Sequence, residues 1–257
     1  IIGRVNQDRE AGVGGLIGSF PSTVPMRVRV HDASLGANKR FAVQIAYDED
    51  FLPVLTSGIA YAAIGKTSDT VGEGTANVKF TIHSDAGEDG KIERSNMYYN
   101  ASDVGKTSVA ELAQLMTLLC QNTDKETDVT SIDVDVEMEN TRKTASLISA
   151  VPDKPSAKPG ETIHFRTTIK PFRKENEVLS IPFRVPERQD PGVLRLDLRG
   201  GGLVPVTASL LQNALGIDTS VEEDKTQTTA EKVGQFLEMG RNNEIIIGPA
   251  LAPPAAE

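Results

Sequence analysis

Two copies of the tetrapeptide Gly-Lys-Thr-Ser, at 65–68 and 105–108, are the most chemically suggestive residues of this 257-residue chain. A phosphate-binding loop needs three parts in order. These are a strand, a glycine-rich turn whose backbone N–H groups surround the anion, and a helix starting at the Lys-Thr or Lys-Ser pair. In "AYAAIGKTSD", Ala60 stands where the first glycine belongs, and residues 51–64 upstream have helical spacing. Gly65 therefore reads as a helix stop. In "NASDVGKTSV" a strand precedes and a helix follows, but Asn100 replaces the first glycine and Asp103 places a carboxylate where the anion should sit. Lys106 and Thr107 form the nucleotide-binding candidate; the plainer reading makes Thr107 and Ser108 ordinary helix-start residues.

Other motifs are incomplete in similar ways. "AGVGGLIG" at 11–18 imitates a dinucleotide fingerprint, but "NQDRE" precedes it, and Pro21 and Pro25 leave no room for the helix it requires. "DAGEDGKIERSN" at 85–96 imitates a calcium loop, with Asp85 and Asp89 as weak candidate ligands. Gly87 and Asn96 occupy two ligand positions, including that of the bidentate glutamate, so a β-hairpin turn is the better reading. The carboxylates of "DVDVE" share one strand face, which reads as a solvated face that discourages edge aggregation. No Gly-x-Ser-x-Gly elbow is present. His31, His83 and His164 lie in separate strands without zinc spacing. Cys120 is the single cysteine, which excludes an intrachain disulfide, and its apolar helical context makes it a buried, inert thiol. No cofactor is implied.

Strands and helices must position whatever these residues do. "IIGRV", "PMRVRVH" and "RFAVQIAY" read as strands, followed by a helix with Leu52, Leu55, Ile59, Ala62 and Ala63 in register and Pro53 in its first turn. "ANVKFTIHS" and "KIERSNMYY" are strands. A helix over about 108–122 opens on a Ser108–Glu111 capping box. "SIDVDVEM", "TIHFRTTI", "VLSIPFRV" and "VLRLDLRG" alternate polar and apolar residues between turn signals, the pattern of a small sandwich. Residues 203–228 read as a linker, Thr228 and Glu231 as the capping box of a short helix, "NEIIIG" as a strand, and the end as a frayed tail.

The expected architecture is α+β, mainly β. Residues 1–125 form a β-rich domain with two packed helices, 126–202 a β-sandwich-like domain, and 203–257 a linker, short helix, strand and tail. A net charge of −9 argues against a nucleic-acid binder, and Lys170, Arg173 and Lys174 read as solvated strand ends. No run approaches the roughly 18 to 20 apolar residues that span a bilayer, so no membrane span is expected. The opening "IIGRV" has no methionine and already looks like a strand, as expected for part of a longer protein.

"IGRVNQDREAGVGGLIGSFPSTVPMRV" resembles a segment of bacterial secreted proteins that carry a SpoIVB-type serine peptidase domain. The matching residues are Gly3, Gln7, Asp8, Arg9, Ala11, Gly12, Gly15 and Gly18. "KPGETIHFRTTIKPFRKENEVLSIPFRVP" is similar to a later part of the same proteins, so the resemblance spans roughly residues 1–200. That family implies a Gly-x-Ser-Gly-Ser-Pro nucleophile and a Gly-His pair; neither occurs in this sequence. The resemblance therefore implies a non-catalytic, extracytoplasmic or cell-envelope module. Its partners would be other domains of the same polypeptide or a separate protein. Gln7, Asp8, Arg9, Gly12, Gly15 and Gly18 are expected to build a turn system, with Gly12, Gly14, Gly15 and Gly18 free to take positive φ. Two alternatives remain open: a peptidase completed by residues outside this chain, and nucleotide binding at 105–108.

Overall fold

The computed structural model describes residues 3–68, 72–201 and 227–249. The fold is α+β and mainly β. Strands β1 (Gly3–Arg9) and β2 (Gly12–Ile17) make an antiparallel ribbon. A hairpin of β3 (Thr23–Asp32) and β4 (Ala37–Ala46) leads into helix α1 (Leu52–Thr67). A second hairpin, β5 (Gly74–Ser84) and β6 (Lys91–Asn100), leads into helices α2 (Val104–Ser108) and α3 (Ala110–Cys120). Strand β7 (Val129–Glu139) then inserts between the hairpins, parallel to β3 and antiparallel to β5, giving the order β4-β3-β7-β5-β6.

Period-2 alternation explains why this sheet has one dry face. Val24, Met26, Val28 and Val30 on β3 and Ile132, Val134, Val136 and Met138 on β7 are buried, together with Leu112, Leu115, Met116 and Leu119 of α3. The opposite face carries Arg27, Arg29, Asp133 and Asp135, where Arg27 forks onto Asp133 at 2.7 and 3.0 Å and Arg29 pairs with Asp135. The "DVDVE" carboxylates therefore protect no edge. They lie on the central strand, with Asp133 and Asp135 ion-paired to β3, because β7 returns to the middle of the sheet and alternation alone carries no information about sheet order.

Three helical details also differ from expectation. Gly65 does not stop α1, which continues to Thr67; Thr67 Oγ1 donates to the Ala63 carbonyl at 2.9 Å. The buried stripe of α1 is Leu52, Thr56, Ala60, Ala63 and Ile64, while Leu55 is 41% exposed. Ser108 caps nothing: the helical stretch starts at Val104, and Ser108 Oγ donates to the Gly105 carbonyl.

The four alternating runs read as one sandwich divide among three sheets. "SIDVDVEM" joins the first sheet, so the region beyond it begins after β7 and not at residue 126. Strands β8 (Ala145–Pro152), β9 (Thr162–Pro171) and β10 (Glu177–Arg184) form a meander, and β11 (Leu196–Gly200) pairs with β12 (Ile245–Pro249). Helix α4 (Thr229–Glu238) is not part of a free tail. Its Thr228–Glu231 capping box is present, and Val233 and Phe236 enter the core of the first sheet. The linker reading at 203–226 and the tail beyond residue 249 lie outside the described residues.

Candidate functional site

The second Gly-Lys-Thr-Ser copy is a self-capped helix start. Asp103 Oδ1 accepts from the Lys106 amide at 2.7 Å and Oδ2 from the Tyr61 hydroxyl at 3.0 Å, so the carboxylate fills the place an anion would take. Thr107 Oγ1 accepts from Asn100 Nδ2 at 2.7 Å and donates to the Asp103 carbonyl. A Cβ on Gly105 would lie 3.2 Å from Ile64, so this glycine permits α2 to approach α1 closely. Lys106 is exposed.

The calcium candidates are likewise committed or separate. Asp85 accepts from the Asp128 amide at 2.9 Å and pairs with Lys125 at 2.9 Å, and Lys125 holds its carboxyl below the ordinary range. Asp89 sits in the hairpin turn at φ 53°. Among the described residues no group of three or more His, Cys, Asp or Glu side chains is placed to hold a metal ion.

The glycine-rich motif is a strand as much as a turn. Arg9, Asp8 and Gln7 pair with Gly12, Val13 and Gly14, and Val5 pairs with Gly15. Gly12 and Gly18 have φ of 153° and 79°, whereas Gly14 and Gly15 sit in β2 without positive φ. The register puts Val5, Val13, Gly15 and Ile17 on one face of the ribbon.

A buried polar cluster escaped the sequence reading. Arg94 forks onto Glu111 at 2.7 and 3.1 Å, and Asn96 Nδ2 donates to Glu111 at 2.6 Å. The same guanidinium donates to the Leu237 and Met239 carbonyls at 3.2 and 2.8 Å and lies 5.3 Å from the Phe236 ring. A cation thus closes the C-terminal end of α4, where carbonyls are unpaired and the dipole is negative. Burial alone would lower the Arg94 pKa; the Glu111 carboxylate outweighs it and the net shift is upward. Burial, then Glu111, pushes the Tyr98 hydroxyl well above its usual range. The available signal was parity: Ile92, Arg94, Asn96 and Tyr98 occupy the dry phase of β6, where an arginine and an asparagine must find partners.

Nucleophile chemistry is not assembled. No histidine hydrogen-bonds a serine hydroxyl among the described residues; His164 lies 3.7 Å from Asp153, and His31 and His83 sit on the solvent face of the first sheet. Cys120 is buried, and burial followed by Glu49 raises its thiol to about 11. A groove of about 400 Å³ on the first sheet's solvent face is lined by Asn77, Met97, Glu137, Arg241 and Asn243, with Lys79 drawn onto Glu93 at 2.8 Å. No helix among the described residues is long and apolar enough to cross a membrane. Comparison with known protein families, curated proteins and solved structures finds no match to this chain.

Proposed function

We propose that this chain is a non-catalytic scaffold or interaction module of a larger bacterial extracytoplasmic protein, working beside a SpoIVB-type peptidase domain. The β1–β2 ribbon is the observation that carries the reading. On one face of the ribbon Val5, Val13 and Ile17 are 65%, 66% and 85% exposed; Leu16, on the other face, is 50% exposed. An isolated two-stranded ribbon is marginal in water, and contiguous apolar surface left in solvent marks a docking site. The residues that resemble the peptidase-associated proteins, Gln7 to Gly18, are the ones that build this ribbon. Asp103 inside the second Gly-Lys-Thr-Ser turn disfavours nucleotide as the ligand.

The purified chain should neither react with a fluorophosphonate serine probe nor cleave an unfolded protein substrate. Labelling or cleavage that a single serine substitution abolishes would overturn the reading.

A further inference from the structure

The solvent face of the three-stranded meander differs in charge from the rest of this acidic chain. Along β9, alternation sends Ile163, Phe165 and Thr167 inward and His164, Arg166, Thr168 and Lys170 outward. The register places Ser180 and Val151 beside Arg166, Val178 and Ser149 beside Thr168, and Ser146 beside Lys170. Arg166 and Lys170 are exposed and have no hydrogen-bond or ion-pair partner from their side chains. Near the stripe's start Asp153 is engaged with the backbone amide of His164 and close to its ring, and Arg184 is paired with Glu187. Glu177 lies opposite Ile169, on the other face.

The stripe runs into a turn that organises more cations. Phe172 receives the Arg142 guanidinium at 4.2 Å and that of Arg173 at 4.9 Å, and Arg142 also lies 4.9 Å from the Tyr99 ring. Arg173 is one of two non-glycine residues with positive φ among the described residues, at 56°, and its guanidinium makes no hydrogen bond. Stacking on a ring holds a guanidinium while leaving its N–H edge free for a carboxylate. Lys174 has no side-chain partner; Glu175 is the one carboxylate in the tip of the turn.

We infer that this face docks an extended acidic polypeptide segment, with its carboxylates set against Arg166, Lys170 and Arg173. Lys170 lies four positions after Arg166, about 13 Å along a strand, so an extended partner matches them with acidic residues four apart. Serine and threonine hydroxyls between the cations suit the partner's backbone amides. Nucleic acid fits less well, because guanidinium groups already stack on the Phe172 ring, leaving it poorly placed for a base. The inference is independent of the ribbon reading.

The test is fluorescence anisotropy with a labelled ten-residue peptide alternating glutamate and serine, compared with its lysine–serine counterpart. Only the acidic peptide should bind, and binding should weaken as salt rises. Arg166→Gln and Lys170→Gln together should weaken it at least about ten-fold, while Arg40→Gln on β4 changes it less than about two-fold. Should the double variant unfold, hydrogen exchange on the unmodified chain substitutes: the acidic peptide should slow exchange across 162–174. No acidic-peptide binding, equal effects of the Arg40 and double variants, or binding only to oligothymidylate or phosphatidylserine vesicles would each overturn the inference.

Discussion

Replacing Arg94 with methionine should be among the most damaging single changes this fold can receive. The side chain is 2% exposed and holds three elements together: it pairs with Glu111 of α3, extends from β6, and closes the end of α4. Without it, Glu111 is a buried carboxylate left with neutral partners, the Asn96 amide and the Tyr98 hydroxyl. Breaking such a pair from one side costs about 3–5 kcal/mol, a large share of the roughly 5–15 kcal/mol that separates folded from unfolded domains. Removing both charges, with Arg94→Met and Glu111→Leu, eliminates the stranded carboxylate. It should cost about 1–3 kcal/mol, from the lost bonds to the Leu237 and Met239 carbonyls. Urea unfolding followed by circular dichroism measures both variants, and hydrogen exchange over 229–238 reports whether α4 stays docked. A single variant within about 1 kcal/mol of the parent, or a double variant as damaged as the single, would refute the reasoning.

Three further outcomes follow from particular contacts. Asp103→Ala removes the N-cap of α2 and should cost about 1 kcal/mol in urea unfolding; no change would mean the cap is idle. Cys120, with its thiol raised to about 11, should resist a thiol-exchange reagent at pH 8 until the chain is unfolded, and rapid stoichiometric reaction in the native state would contradict its burial. Lys79, then Lys91, depresses the Glu93 carboxyl to about 2, so its stabilising effect is complete above about pH 4.5 and is lost as pH falls toward 2. Because Glu93 is 39% exposed, the effect is about 0.2–1 kcal/mol. Glu93→Gln should flatten that part of the stability–pH curve, and an unchanged slope would assign the acid sensitivity elsewhere.

Much of the element inventory was legible because β3, β5, β6 and β7 each have one dry face. Val24, Met26, Val28 and Val30 announce β3, and Thr228 with Glu231 announces α4 to the residue. Strand β2 was not legible, since three glycines in "GVGGLI" look like turn residues and neither face of β2 is buried to create a pattern. Strand β8 was lost for a related reason: the register shift between Leu147 and Ser149 breaks the alternation, and most of its residues are exposed. Sheet order was beyond local pattern altogether. Nothing in "SIDVDVEM" reveals that Arg27 and Arg29, 106 residues earlier, will neutralise Asp133 and Asp135. Of the candidate sites, Asp103 was legible as the residue that departs from a phosphate loop, and in the structure its carboxylate caps α2. The sequence did not reveal the Arg94–Glu111 pair, whose partners lie on different elements.

The most direct test of an interaction module is hydrogen exchange on this chain mixed with a SpoIVB-type peptidase domain. Exchange should slow at residues 5–17, where the ribbon leaves Val5, Val13 and Ile17 in solvent, and stay unchanged in β7. An unprotected ribbon at saturating peptidase domain, or protection centred on Lys106 and Thr107 only when nucleotide is added, would contradict the interaction-module reading.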